Sequence, residues 1–368
     1  MRFERLGLFA GELEEFLAGR FLQDVESLYL YQFSDAFHGA YQKLGQLPML
    51  QHLDFESWSD SCGDRGIDVG NEEDARTLAS SPALAQLRTL RLRYHEIGND
   101  GMLALAGSEH LRSLQTLDLR GNYSSITNSG IVKLAAMSQV ARLRELNLSQ
   151  CDFDTEGALA LARSRHLDNL EELHLAPCEE SYEMWKGISG RDFALELSKP
   201  ECLPALLCLN ISNQMIGDDG IRALTKSPRF ARFQKLTLMH QGFSDDGLIA
   251  LASSPYTPKL QALNLAWNPI GDSGIAALCQ SDIAEGVEVF RLDGTPNTGE
   301  LLANSRFESL VELWVERLDE SILEPLKDST ALKSLRRLVF QSGVAPSELL
   351  QRKNLEPVYL LPERSLPS

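Results

Sequence analysis

Long apolar stretches are missing from this chain of 368 residues. No run of 18 apolar residues occurs, so we expect no transmembrane helix. The N-terminal segment MRFERLGLFAGELEEF has too short an apolar stretch for a secretory signal, and Glu12, Glu14 and Glu15 follow that stretch at once. The sequence therefore predicts a soluble, cytoplasmic protein.

Basic residues are scarce relative to acidic ones. The chain has 35 Lys and Arg against 52 Asp and Glu, which gives a formal net charge of −17. A nucleic-acid binder needs a basic surface to displace counterions from phosphates, and an anionic membrane attracts the same kind of surface. We therefore expect neither nucleic acid nor membrane as a partner, whereas a protein partner remains open.

Cysteine pairs and catalytic signatures are also absent. The six cysteines contain no C-x-x-C pair and are too sparse for a disulfide scaffold, so we expect reduced thiols. No zinc motif, G-x-S-x-G or Walker-type G-x-x-x-x-G-K-[ST] occurs. The carboxylates recur at repeated positions and do not converge as an acid–base pair. The sequence predicts no enzyme, with no catalytic residue, no metal and no cofactor.

What the chain does contain is a repeat. The motif L-x-x-L-x-L starts at Leu87 and returns at intervals of 27, 29, 27, 36, 27 and 27 residues, and degenerate copies flank this series. We interpret residues 1–368 as a single repeat array, with an N-terminal cap at 1–23, about twelve repeats at 24–341 and a C-terminal cap or tail at 342–368. The repeats start at Val25, Leu50, Leu87, Leu114, Leu143, Leu170, Leu206, Phe233, Leu260, Val287, Leu310 and Leu335.

Each repeat predicts one strand and one helix. L-x-x-L-x-L ends with the period of two of a short strand, and G-x-x-A-L-A has helical spacing. Because one repeat cannot bury its own apolar face, successive repeats must stack on one another. Strands lie about 4.8 Å apart whereas helices are about 10 Å wide, so the stack has to curve. We expect an α/β solenoid, a horseshoe with parallel strands on its concave face and helices on its convex face.

The repeat length, the motif L-x-x-L-x-L-x-x-N/C and the helix type together resemble the ribonuclease-inhibitor-like class of leucine-rich repeats. This resemblance implies a non-enzymatic module that binds a protein partner. It leaves two alternatives open: a regulator of a partner enzyme, either inhibitor-like or a GTPase activator that inserts Arg93 or Arg120, and a substrate-receptor subunit of a larger assembly. It also implies that the ninth position, occupied by Cys151 and Cys178, points inward.

The turn before each helix carries acidic residues between glycines. GNDG stands at 98–101, GDDG at 217–220, SDDG at 244–247 and GDSG at 271–274. Asp, Asn and Ser can accept the unpaired first N–H groups of a helix, so capping is a better explanation than a metal site. Gly220 and its equivalents would allow close approach to the next coil. The acids also predict a ridge along one edge, either simply hydrated or a docking surface: Asp100, Asp154, Asp218, Asp219, Asp245, Asp246 and Asp272.

The concave face is the first candidate for partner binding. At its fifth position Asp54, Arg91 and Asp118 alternate in sign, which indicates charge pairing across strands. From Asn147 to Asn264 the same row is uncharged, and large rings stand beside it. Two insertions after strands add a tryptophan each, and whether the groove or the acidic edge with these loops dominates stays open. For a monomeric protein, the predicted partner-binding residues are His174, Asn210, Met239, His240, Asn264, Trp267 and Trp314 in the groove, with Trp58 and Trp185 in the loops.

Overall fold

The computed structural model describes residues 2–6, 24–31, 47–56, 71–177, 188–292, 299–318, 322, 325–326, 329, 332–343 and 356–359. The chain folds as an α/β solenoid in which parallel strands alternate with helices, as predicted. It divides into two compact units. The first comprises Met1–Ile188 with Glu201–Leu206, and the second comprises Ser189–Pro200 with Leu207–Ser368.

The strands of each unit form a parallel sheet in chain order. In the first unit they are β1 Arg2–Leu6, β2 Ser27–Tyr31, β3 His52–Glu56, β4 Thr89–Arg93, β5 Thr116–Asp118, β6 Glu145–Asn147 and β7 Glu172–His174. In the second unit they are β8 Cys208–Asn210, β9 Lys235–Thr237, β10 Ala262–Asn264, β11 Val289–Arg291, β12 Glu312–Leu318, β13 Arg337–Gly343 and β14 Glu356–Tyr359.

Two of these strands lie where the sequence predicts caps. β1 falls in the segment 1–23 and β14 in the segment 342–368, and neither has the L-x-x-L-x-L pattern. β1 pairs with β2 and β14 pairs with β13. Backbone pairing of this kind covers the open edge of a neighbouring strand without needing the repeat motif.

Helices connect the strands. They are α1 Glu72–Ala79, α2 Gly98–Gly107, α3 Asn128–Ala135, α4 Thr155–Ala162, α5 Gly190–Leu197, α6 Gly217–Thr225, α7 Asp245–Ala252, α8 Asp272–Cys279 and α9 Gly299–Ala303. Short 3-10 turns lie at Pro82–Gln86, Tyr123–Ser125, Ser138–Arg142, Pro228–Arg232 and Ala284–Gly286. Within the described ranges, no helix is long and apolar enough to cross a membrane.

The leucines of the repeat motif form the core. Leu87, Leu90 and Leu92 of one coil are at most 1% exposed, and Leu90 at the fourth position faces its equivalents on the strands at either side, Leu53 and Leu117. Leu263 on β10 stands between Leu236 and Phe290 in this way. Burying one such side chain contributes roughly 1.5–3 kcal/mol. The stacking of neighbours, rather than any single coil, supplies that burial.

An inward ladder of polar side chains runs along the ninth position. The Asn122 Nδ2 donates to the Leu92 carbonyl oxygen of the preceding coil at 3.0 Å, and its Oδ1 accepts from the Ile97 N–H at 3.1 Å. The predicted inward position of Cys151 is confirmed: the residue is fully buried, and burial raises the pKa of its thiol. Cys178 lies outside the described residues.

Serine hydroxyl groups donate hydrogen bonds to backbone carbonyl oxygens at the C-terminal ends of the helices. The Ser108 Oγ donates to the Ala79 carbonyl oxygen at the end of α1, and the Ser164 Oγ donates to the Ala135 carbonyl oxygen at the end of α3, both at 2.5 Å. The last carbonyl groups of a helix have no partner inside it. A serine of the following coil therefore donates the hydrogen bond that the last carbonyl group of each of these helices lacks.

His95 occupies the ninth position of its coil and differs from the amides there. Its side chain is 1% exposed, and its Nδ1 lies 2.7 Å from the Arg93 carbonyl oxygen. The Nε2 has no hydrogen-bond partner among the described residues. Burial without a second partner lowers the pKa of His95 to about 4, because the charged ring loses its hydration.

Leu263→Ala should lower the free energy of unfolding by about 2–5 kcal/mol, because the cavity faces both neighbouring coils. Asn264→Ala should cost about 1 kcal/mol, because the half-buried Asn264 Oδ1 no longer accepts a hydrogen bond from the Ala266 N–H. Urea unfolding of both variants measures the difference. Equal costs would contradict the assignment of inward and outward positions.

His95→Asn should reduce the sensitivity of the fold to acid. The unfolded chain protonates this ring near pH 6.5 and the folded chain only near pH 4, so the free energy of unfolding falls across that interval as the pH drops. The full effect is about 3 kcal/mol. An asparagine fits this position in the coil of Asn122 and cannot be protonated there. Denaturant unfolding at pH 7, 5.5 and 4 should show a shallower decline for the variant, and an unchanged decline would refute the assignment to His95.

Candidate protein-binding surface

The acidic turns hold successive coils together. The Asp218 Oδ1 accepts from the Ser244 N–H at 2.8 Å and from the Gly247 N–H at 2.9 Å, and its Oδ2 accepts from the Ser244 hydroxyl at 2.9 Å. The Asn128 Oδ1 accepts from Asp154 and Gly157 in the same way. The capping interpretation is confirmed, although much of the capping passes from one coil to the next.

The glycine that follows each pair of polar residues makes this contact possible. A Cβ at Gly247 would lie 2.6 Å from the Asp218 Oδ1, closer than side chains tolerate. Gly274 has the same relation to the Asp245 Oδ1, at 2.7 Å. The predicted close approach is confirmed, but the prediction named the wrong neighbour: the contact is with the carboxylate of the preceding coil, not with the next coil.

The remaining acids of the ridge are exposed but not isolated. Asp219 and Asp246 point to solvent, and Arg222 contacts both carboxylates, at 3.2 and 3.1 Å. Arg191 lies 3.7 Å from Asp219. Among the side chains that the structure places, no group of three or more His, Cys, Asp or Glu residues could hold a metal ion. Arginines therefore offset much of the negative charge on this edge.

The strand face of the first unit is an ionic network. The Arg93 Nε lies 2.9 Å from Asp118, and its Nη2 lies 3.2 Å from Asp54. Arg91 lies between the same two carboxylates, at 3.5 and 3.9 Å. Burial raises the pKa of Asp54, against the opposing effect of the two guanidinium groups. The predicted charge pairing across strands is confirmed, and the Arg93 side chain takes part in it through two carboxylates.

Three of the predicted binding residues belong to the first unit or lie outside the described residues. His174 belongs to the first unit, is half-buried, and has its Nε2 3.8 Å from a carboxylate oxygen of Glu172. Trp58 and Trp185 both lie outside the described residues. None of the three is placed by the structure in a common surface with the residues of the second unit.

The uncharged residues at the fifth position lie at the C-terminal ends of their strands. The Asn264 Oδ1 accepts from the Ala266 N–H at 3.0 Å, and the Asn210 Oδ1 accepts from the Ser212 N–H at 3.1 Å. An asparagine that bonds two residues ahead stabilises a turn. Asn210 is only 3% exposed, so it offers almost no surface to a partner, contrary to the expected open floor.

The eighth position adopts a left-handed backbone conformation. Its φ is +59° at Trp267, +52° at His240, +61° at Asn213 and +76° at Gly121. The geometry is set by the coil, because the His240 N–H donates to the Ala266 carbonyl oxygen at 3.0 Å and the Asn213 N–H donates to the Met239 carbonyl oxygen at 2.9 Å. Glycine and asparagine tolerate it, whereas bulky side chains are disfavoured by roughly 1–2 kcal/mol.

Tyr94 and Gln150 share this conformation in the first unit, with φ of +62° and +60°. In the second unit the two bulky residues at the eighth position, His240 and Trp267, contact each other. The rings of His240 and Trp267 stack with centroids 5.8 Å apart and planes 5° from parallel. Met215 is 69% exposed, and its methyl carbon lies against Gly242, two residues beyond His240. Met239 is half-buried beside His240. We call the group Met215, Met239, His240 and Trp267 the strand-end shelf.

Met215 is the member that sequence reasoning missed. It stands at the tenth position, where other coils have Glu96, Asp152 or Pro269. A long, flexible apolar side chain at this position was the available signal. Trp314, by contrast, is held by neighbours: the Arg291 guanidinium lies 5.3 Å from its ring centre, and its Nε1 donates to Glu312 at 2.5 Å.

Stacked strand–turn–helix coils with an inward polar ladder define a leucine-rich-repeat solenoid. The family described as "Leucine Rich repeat" matches residues 85–106, 110–135, 143–162 and 257–279. These four segments are leucine-rich repeats, and proteins with such repeats generally mediate protein–protein interactions.

Two solved structures are similar over most of this chain. The internalin inlF from Listeria monocytogenes is 16% identical, with 91% of this chain and 95% of that chain covered and a TM-score of 0.46. The leucine-rich-repeat ectodomain of the membrane receptor kinase GASSHO1/SCHENGEN3 from Arabidopsis thaliana is also 16% identical, with 97% and 48% covered and a TM-score of 0.35. At these TM-scores neither likeness bears on what this chain binds.

Asp218→Ala should lower the free energy of unfolding by about 2 kcal/mol, because two backbone N–H groups of the next coil lose a charged acceptor. Asp219→Ala removes an adjacent, exposed carboxylate whose ion pairs are worth about 0–1 kcal/mol. Thermal or urea unfolding of this matched pair tests the role of the turn. A larger loss for Asp219→Ala would contradict it.

Proposed function

We propose that this chain is a non-enzymatic module that binds a protein partner through the strand-end shelf of its second unit. The observation that carries the proposal is the stacked pair of His240 and Trp267, which stand in successive coils on a left-handed backbone that few bulky side chains adopt. Each bulky ring is held there at a conformational cost, and backbone strain of this kind concentrates at functional sites. A selective advantage of the rings themselves would explain why they occupy these positions.

The shelf has the composition of a protein-binding surface. Aromatic rings and methionine are enriched at interfaces, and tryptophan is one of the side chains that most often dominate binding energy. Met215 adds a flexible apolar side chain that can adapt to a partner. Stacking between His240 and Trp267 fixes both rings before a partner arrives, which lowers the entropic cost of association.

Other surfaces are less suitable. Asp218 and Asp245 of the acidic edge accept backbone N–H groups, and Asp219 and Asp246 contact Arg222. A role as a GTPase activator would need a free arginine, whereas Arg93 contacts two carboxylates. The shelf is therefore better suited to binding a protein, as an inhibitor or a substrate receptor also would, than to inserting an arginine into a partner.

Replacing Trp267 and His240 by asparagine should abolish partner binding without unfolding the chain. Asparagine tolerates the left-handed conformation, as Asn213 shows in the preceding coil, so the loss of the stacked pair is partly offset by relief of strain. Each single substitution should weaken affinity by about 30-fold, the scale of an interface hot spot. The measurement is quantitative capture by the intact chain, followed by titration of the captured protein.

Ile249→Ala is the matched control, since Ile249 is an apolar side chain, 39% exposed, on helix α7 of the same unit. It should capture the same proteins as the unaltered chain. Proteins that are captured equally by the asparagine variants and the control bind elsewhere. If every captured protein behaves so, the strand-end shelf is not the binding surface.

A further inference from the structure

A cavity of about 280 Å³ opens in the first unit, and all of its lining residues belong to that unit. It lies where three successive coils enter strands β5, β6 and β7. Its volume is several times the roughly 30 Å³ that one water molecule occupies in the liquid, so it has room for a polyatomic ligand. The lining residues are Arg112, Ser113, Gln115, Ala141, Arg142, Arg144 and Asn169.

The lining is cationic although the chain as a whole is acidic. Three arginines contribute to it, together with the amides of Gln115 and Asn169, and no carboxylate belongs to the lining. Arg144 has a carboxylate partner in Glu171, while the Arg112 Nε donates to the Glu109 carbonyl oxygen at 2.6 Å. The repeat places these residues together, because they precede or begin the strands of adjacent coils.

Arg142 is the least compensated of the three. Its Nη2 donates to the Ala106 carbonyl oxygen at 2.7 Å, which fixes the guanidinium at the cavity. Its Nε is buried and has no acceptor, and none of the described carboxylates lies within ion-pair distance of it. Partial burial lowers the pKa of Arg142, because the charge loses hydration without gaining a counter-charge. A bound anion would supply that counter-charge.

We propose that this cavity is a binding site for a compact anion with two or more negative charges, of the phosphate or polycarboxylate type. Guanidinium groups match the oxygen geometry of phosphates and carboxylates and donate two hydrogen bonds at once. The Gln115 and Asn169 amides give the rim further polar groups. The site is independent of the strand-end shelf and of any protein partner.

Isothermal titration of the full chain with pyrophosphate, inorganic phosphate and citrate, at constant ionic strength set with sodium chloride, tests the proposal. Saturable binding of at least one of these anions is expected, and the anion that binds identifies phosphate or carboxylate chemistry. Each should also raise the melting temperature, since it binds only the folded state. No saturable heat at millimolar concentrations of any of the three would overturn the proposal.

Variants locate the site. Arg112→Gln removes an exposed lining charge and should weaken binding by about tenfold, the value of one charge-assisted hydrogen bond. Arg142→Gln should weaken it at least as much, and circular dichroism checks that this half-buried position still folds. Arg165→Gln removes the same charge from an exposed position of the same unit that does not line the cavity. Equal affinity in Arg112→Gln and Arg165→Gln would show that the anion binds elsewhere.

Discussion

The structure depends on one requirement: the backbone groups of each coil must find hydrogen-bond partners in the coils beside it. Strand pairing provides hydrogen-bond partners for the backbone groups of the strands, but N–H and carbonyl groups in the turns and at the helix ends need other partners. Asn122 satisfies a preceding carbonyl from inside, Asp218 accepts the N–H groups of the next helix start, and Ser108 donates to the preceding helix end. Neighbouring coils are therefore joined by three kinds of polar contact, at the ninth position, at the helix start and at the helix end, as well as by packed leucines.

This requirement explains many residues that look chemically active in the sequence. The paired acids of the turns, the amides at the ninth position and the asparagines that end the strands all bind backbone. Cys151 substitutes for an amide in the same ladder and is an inaccessible thiol with a raised pKa. Such residues are structural, so their number says little about function. The informative residues are those that the coil does not need.

Two groups of residues meet that description, one in each unit. His240 and Trp267 stack on each other on a left-handed backbone, and Met215 is a largely exposed apolar side chain in the coil before them. Arg112, Arg142 and Arg144 gather around a cavity without sufficient carboxylates to balance them. The first group favours a protein partner and the second favours a small anion. Both groups also make contacts between coils, since Arg142 donates to the Ala106 carbonyl oxygen and His240 stacks on Trp267, so the stability of each variant has to be measured beside its binding.

The sequence by itself determined the repeat, the alternation of strand and helix, the inward leucines and the capping role of the acidic turns. These features are local or recur at a fixed spacing, so a period of about 27 residues is sufficient to reveal them. Strands β1 and β14 could not be predicted, because they pair through backbone alone. Only the tertiary structure decided which polar side chains are consumed by neighbouring coils: Asn210 is buried, Arg93 is held by two carboxylates, and Arg142 is left without one. The physical reason is that a side chain's availability depends on the coil stacked against it, and the spacing within one coil does not record that contact.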